Sequence, residues 1–261
     1  MDVAMNSVKH LAKTIISRDV FKKGSGLHHK QQAQVAGLRV IAVTGGNGTA
    51  QLCTQINDVL RADGLTTALF MTNHIELAGQ QKHVKKDDSI LRSRLRKSFF
   101  RNAKKHAVDW IILELPVTAL RSKELADIPV ELAVLTPIGL QNDDIGGVSV
   151  TIAADYAKLI TTNNPKTVVL DADDEWFEYF GRKVKNKLIT VGDAKATHQI
   201  KGLECVGSTV RFNVISAKGS IAVQYTSAQP EIVVPTALTI AVARYIGCPD
   251  NAIIRGIKSV I

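Results

Sequence analysis

The sequence predicts an α/β protein built on a mostly parallel sheet flanked by helices, with a small antiparallel β appendage. Three observations carry this. Short, continuously apolar runs alternate with helical segments over the first two thirds of the chain. A glycine-rich turn links the first of these runs to the first of these helices. Beyond Lys187 the rhythm changes to closely spaced strands. Parallel strands are covered on both faces and therefore read as unbroken apolar runs, whereas antiparallel strands need only short turns between them.

The strand-like runs are LRVIAVT from Leu38, TTALFMT, DWIILEL, VELAVLT and TVVLDA, with helices predicted around 49–63, 88–107, 150–162 and 174–184. The segments LITVGD, THQIKGLEC, STVRFNVIS and GSIAVQYT form the expected appendage, about 187–228, and helices over 236–246 and 250–260 close the chain. Ahead of the domain at 37–261, Val8, Leu11, Ala12, Ile15 and Ile16 recur at i, i+3, i+4 and i+7, the spacing of an amphipathic helix. A polar, glycine-containing linker, KKGSGLHHKQQ, follows it. With 261 residues, 45% of them hydrophobic, the chain has enough apolar material for one large core.

No stretch approaches the about 20 uncharged apolar residues of a membrane span, and the N-terminus lacks the apolar core of a signal peptide, so a cytoplasmic location is the expectation. Cys53, Cys205 and Cys248 are far apart, without a CxxC pair or a histidine at metal-ligand spacing, and are expected to be buried thiols. The formal charge of +9 is concentrated, since residues 82–106 hold ten Lys or Arg against Asp87 and Asp88. On a helix beginning near Asp88, Arg92, Arg96, Lys97 and Lys104 fall near one side. Such a face attracts nucleic acid or an acidic surface, or is simply solvated; no aromatic lies between Lys82 and Phe99 for base stacking.

The segment VTGGNGTAQLCTQINDVL is a strand, a tight turn and a helix. That order aims backbone N–H groups and the positive end of a helix at an anion, which places Thr44, Gly45, Gly46, Asn47, Gly48 and Thr49 as candidate phosphate-binding residues. The segment resembles the P-loop of the Mur ligases, TGTNGKTT, and other segments resemble that family's central, ATP-binding domain in the same order. DWIILELPVTAL is similar to the strand ending in EVSSHAL, and VELAVLTPIGLQNDD to DVAVFTNLSRDHLD. ADYAKLITTNNPKTVVLDADDEW is similar to YxxAKxxLF followed by a strand and NADDP, and ALTIAVARYIGCPDNAIIRGIKSV to the helices that close that domain. The nearest pattern is that of the UDP-N-acetylmuramoyl-tripeptide synthetases and kindred amide ligases.

The resemblance implies ATP and Mg²⁺ as cofactors, a UDP-sugar or similar substrate, and formation of an acyl phosphate that an amino group attacks. It also implies residue roles. Glu114 matches the metal-binding glutamate, Lys158 the lysine that the family carbamylates, and Asp173 with Asp174 the paired acids of the nucleotide site. Each also has a plain reading: a hydrogen-bonded acid at a strand end, a surface lysine that stays unmodified and is free to pair with a carboxylate such as Glu114 or Asp144, a helix cap.

Other positions depart from the family pattern. Thr49 stands at the lysine and cannot supply positive charge, and Ala50 stands at the metal-binding hydroxyl and has no oxygen. Asn142 and Thr118 stand at two histidines, and Val233 and Thr236 at two asparagines. Losing preorganised charge costs orders of magnitude in rate. The family's flanking substrate domains find no counterpart in these 261 residues. Three readings follow: a degenerate ligase domain acting through partners in peptidoglycan precursor metabolism, an active amide ligase whose missing modules a partner supplies, and a polyanion binder using residues 82–106.

Overall fold

A computed structural model describes residues 37–77, 79–83, 93–121, 128–138, 150–193, 195–226 and 230–258. The helix expected over 5–20, its linker, Arg92, Asn142 and Asp144 lie outside the described residues.

The strands are β1 (Val40–Thr44), β2 (Thr67–Phe70), β3 (His74–Leu77), β4 (Gln80–His83), β5 (Trp110–Glu114), β6 (Val130–Leu135), β7 (Thr167–Asp171), β8 (Lys187–Gly192), β9 (His198–Val206), β10 (Thr209–Ser216) and β11 (Gly219–Thr226). The α-helices are α1 (Thr49–Ala62), α2 (Ser93–Lys105), α3 (Val117–Leu120), α4 (Val150–Thr161), α5 (Phe177–Gly181), α6 (Val233–Ile246) and α7 (Asp250–Lys258).

All eleven strands form one sheet, in the order β11-β10-β9-β8-β7-β6-β1-β5-β2-β3-β4. The neighbours from β9 to β2 run parallel, and the antiparallel pairs are β2–β3, β3–β4, β9–β10 and β10–β11. The expected appendage is thus hydrogen-bonded directly onto the parallel sheet, with LITVGD joining its parallel part as β8. The hairpin β3–β4 has no counterpart among the predicted strands. Its outer strand, QQKH, is exposed along its whole length and carries no apolar alternation to betray it.

Side chains of β1 alternate between two cores, as the two-residue period of a strand requires. Ile41 and Val43 face the core shared with α1, α6 and α7, while Val40 and Ala42 face the one shared with α2, α3 and α4. α6 is buried over most of its length, from Val233 to Arg244, so it forms the centre of its layer. α7 crosses α1 closely at Gly256, where a Cβ would lie 2.3 Å from the Val59 Cα. The 174–184 segment is helical only over α5, because Asp174 closes a turn ahead of it through its carbonyl and the Phe177 N–H.

Candidate functional site

The glycine turn sits at the carboxyl ends of the parallel strands, the usual ligand-binding edge of open α/β sheets. Thr44 is buried and stitched to both neighbours of β1. Its hydroxyl donates to the Leu115 carbonyl at 2.6 Å, and its carbonyl accepts from the Thr136 N–H at 2.9 Å. Gly45 has φ +138°, and a Cβ there would lie 2.3 to 2.8 Å from the Thr136 hydroxyl and backbone. Gly46 turns its N–H inward to the Pro137 carbonyl, 3.2 Å away. Asn47 is exposed. Gly48, at φ +84°, is the N-cap of α1, and a Cβ on it would meet Pro235 of α6 at 2.6 Å. The turn is glycine-rich because its neighbours press on it from both sides.

Thr49 donates its hydroxyl proton to Glu114 Oε1 at 3.1 Å, and Glu114 Oε2 accepts from the Thr72 N–H at 2.7 Å. The carboxylate that the family resemblance assigns to a metal therefore ties the start of α1 to the loop after β2. Ala50 is exposed, and its methyl side chain offers no donor or ligand atom. Cys53 lies behind the turn, where burial pushes its thiol well above its ordinary range, with the charge of Glu114 adding to the rise. Cys248 is also buried and pushed up to about 12, chiefly by that burial and then by Asp63. Cys205 is exposed, contrary to the expectation of three buried thiols, because it lies on the protruding half of β9.

The two acids after β7 act as ties. Asp174 accepts from the Trp176 N–H and from the Ile138 N–H, each at 2.7 Å, so it caps its own turn and fastens the segment after β6. Asp173 accepts from the Asp193 N–H at 2.8 Å, and its carboxylate fills the space a Cβ on Gly192 would need. A neighbouring acid that the sequence reading missed, Asp171, is 7% exposed and accepts from the Asp173 N–H at 3.0 Å. Burial raises it to about 6; that hydrogen bond opposes the rise, and the charges of Asp173 and Asp174 reinforce it. A cavity of about 530 Å³ opens beside Asp173, with Asp193, Lys201 and Val233 on its wall. Lys201 is paired with Asp193 at 2.7 Å.

Lys158 is held elsewhere. Its ammonium pairs with Asp155 at 2.6 Å, and Asp155 also takes Arg121 at 2.6 Å. Those hydrogen bonds, Lys158 first and Arg121 second, lower the Asp155 carboxyl. The sequence reading expected Lys158 to pair with Glu114 or Asp144. Among the described residues its carboxylate partner is Asp155, one helical turn away, and no hydrogen bond joins it to Glu114.

The positions of the two asparagines are also turned inward. Val233 is 5% exposed, and Thr236 is fully buried, accepting from Gln55 Nε2 at 3.0 Å. The Thr239 hydroxyl lies within hydrogen-bond distance of Gln55 Oε1 and the Pro235 carbonyl. Thr118 is exposed on α3.

The basic helix divides differently from its sequence pattern. Arg96 is only 2% exposed, so it is not part of a solvated cationic face with Lys97 and Lys104. It lies on the side of α2 that carries Phe99, Phe100 and Ala103 into the core. The exposed charges are Arg94, Arg101, Lys104 and Lys105, with Lys97 half-buried among them. At 3.6 residues per turn these five span roughly 100° of the helix.

Among the described residues the family's donors for ATP with Mg²⁺ are not all reproduced at the turn. No cation stands at Thr49, no oxygen at Ala50, and Glu114 is committed to Thr49 and Thr72. Among the described residues no group of three or more His, Cys, Asp or Glu side chains is placed to hold a metal, and no helix is long and apolar enough to cross a membrane.

A model of the Mur ligase middle domain matches residues 43–230. UDP-N-acetylmuramyl-tripeptide synthetase 2 of Oceanobacillus iheyensis is 24% identical over 193 residues, which is 72% of this chain and 39% of that protein. Among solved structures, a UDP-N-acetylmuramoyl-L-alanyl-D-glutamate–2,6-diaminopimelate ligase superposes with a TM-score of 0.75 at 21% identity, over 88% of this chain and 48% of the other. The FPGS–AMPPCP–folate complex superposes with a TM-score of 0.63 at 17% identity, over 90% and 66%. The chain spans less than half the length of the Mur relatives it matches.

Proposed function

Because the chain belongs to the Mur ligase middle-domain family, we propose that it is a catalytically degenerate ligase domain whose glycine turn has become a packing element. It does not turn over ATP, and it acts through partners in peptidoglycan precursor metabolism. The observation that carries this reading is the hydrogen bond from Thr49 to Glu114. In a working phosphoryl-transfer site a lysine and a metal spread the charge of the transferred group. Here a neutral hydroxyl occupies the lysine's place, and the carboxylate is spent on the hydroxyl and a backbone amide. Asp173 and Asp174 support the same conclusion, since both carboxylates are used to fasten loops.

Calorimetric titration with Mg-ATP, ATP alone and a UDP-sugar tests this, together with an assay of ATP hydrolysis. The expected result is no turnover and no tight Mg-ATP binding. Replacing Thr49→Lys and Ala50→Thr together should raise the affinity for Mg-ATP by roughly tenfold or more, the effect of about 1.4 kcal/mol of restored charge pairing. Low-micromolar binding with Mg-dependent turnover by the unaltered chain would overturn the proposal. Turnover only after a partner is added would establish instead an active ligase with modules supplied in trans.

One observation favours a second role beside the first. The exposed cations of α2 form a sector suited to a polyanion, and Lys82 on the exposed edge strand β4 is a further surface cation.

A further inference from the structure

At the end of the sheet opposite the glycine turn is a second cavity, of about 330 Å³. Lys187 at the start of β8, His198 at the start of β9, Ser216 and Lys218 at the β10–β11 turn, and Arg244 and Tyr245 in the last turn of α6 line it. Along α6, nine residues separate Pro235, which touches Gly48, from Arg244. At 1.5 Å per residue the two sites are about 14 Å apart along the helix axis.

Among the described residues, cations outnumber acids at this cavity. Arg244 is 2% exposed. Its Nη1 donates to the Ser216 hydroxyl at 2.7 Å and the Gly219 carbonyl at 3.1 Å. Its Nη2 reaches Asp250 at 3.3 and 3.4 Å, and Nε, fully buried, has no acceptor. A buried guanidinium ordinarily has a close, well-aligned counter-ion. Asp250 is 49% exposed, is not on the cavity wall, and holds Arg244 through an ion pair of 3.3 Å to Nη2 alone. Lys218 donates to the Arg244 carbonyl at 2.5 Å, and the Lys187 ammonium lies 5.3 Å from the centre of the Tyr245 ring. Among the described residues three cations and no acid line the cavity, and the one carboxylate paired to them is the outlying Asp250. His198 reports the resulting field: burial first, then Arg244 and Lys218, hold its imidazole neutral down to about 4.

We propose that this cavity binds a small molecule through a phosphate monoester group, seated between Lys187 and Lys218 with the Ser216 hydroxyl as a further donor. A phosphate dianion neutralises the excess of two positive charges. The volume beyond it, against Tyr245 and Leu188, takes a compact organic portion. This site is independent of the glycine turn and stands whether or not that turn retains any affinity for a nucleotide.

The test uses the full chain and inorganic phosphate as the probe, at constant ionic strength set with chloride so that general screening is held fixed. NMR signals of the His198 ring and the Lys218 amide should shift saturably, and the His198 pKa should rise by about one unit in phosphate because the bound anion favours the imidazolium. Lys187→Ala with Lys218→Ala should weaken phosphate binding at least about tenfold while leaving the thermal midpoint nearly unchanged, since both lysines are exposed. Shifts that chloride reproduces, shifts confined to the Gly45–Gly48 amides, or wild-type affinity in the double variant would each overturn the proposal.

Discussion

Helix α6 touches both ends of the sheet, and it meets opposite charge at each. At its N-terminal end Pro235 packs on Gly48, and the side chains gathered near the turn are the carboxylates of Glu114, Asp171, Asp173 and Asp174, with Lys201 already paired to Asp193. At its C-terminal end, among the described residues, Lys187, Lys218 and Arg244 have Asp250 as their one paired carboxylate. The edge at which this fold class usually binds its ligand has the backbone for an anion and lacks the countercharge. The other edge has the countercharge without any recognised backbone motif. Fold thus locates a ligand-binding edge by analogy, while charge is set by the particular residues and has to be read separately.

The comparison can be broken most decisively at Gly45. If the turn survives as packing, Gly45→Ala should destabilise the protein by about 3 kcal/mol or more, through a left-handed φ and overlap with Thr136 together. Urea unfolding measures this. A loss below about 1 kcal/mol would mean that the turn is not clamped and that its glycines serve something else.

A smaller effect separates the two ends by pH. Asp171 has a folded pKa raised to about 6, so its proton favours the native state. Its unfavourable contribution is full above pH 6 and vanishes as pH falls toward its ordinary value of about 4. His198 is the reverse case, because its folded pKa is lowered to about 4. Its contribution is present above about pH 6.5 and is lost as pH falls through that window. The two slopes oppose each other between pH 6.5 and 4 and leave a shallow net dependence. Asp171→Asn should stabilise the protein at pH 8 by roughly 1 to 3 kcal/mol and expose the His198 slope, while His198→Gln should expose the opposite one. Denaturation midpoints across that range decide it; parallel profiles for both variants would refute the assignment.

The smallest expected stability effect is on α2, away from both ends. Reversing Arg94, Lys97 and Arg101 to Glu should change stability by no more than about 1 kcal/mol, because exposed charges contribute little. It should abolish binding of a polyanion such as heparin or duplex DNA in low salt if the helix is such a surface. Arg96→Glu belongs to a different class, since it would place a carboxylate among Phe99, Phe100 and Ala103 and should destabilise strongly. Equal stability losses for the two sets would show that the helix face was divided wrongly.

The sequence by itself determined the parallel sheet, the glycine turn and the loss of charge at Thr49 and Ala50, because each is written in adjacent residues. Unbroken apolar runs mark strands covered on both faces, and a missing lysine is missing in any conformation. Tertiary structure alone decided where polar side chains spend their hydrogen bonds. Lys158 and Arg121 converge on Asp155 from different helices or their ends, Gln55 reaches Thr236 from another segment, and Arg96 turns into the core although Arg94 and Arg101 on the same helix are exposed. The cationic cavity is the extreme case. Its wall is drawn from residues near 187, 198, 217 and 244, and nothing in one stretch of chain could announce it, because the charge excess arises only when folding brings four distant segments together.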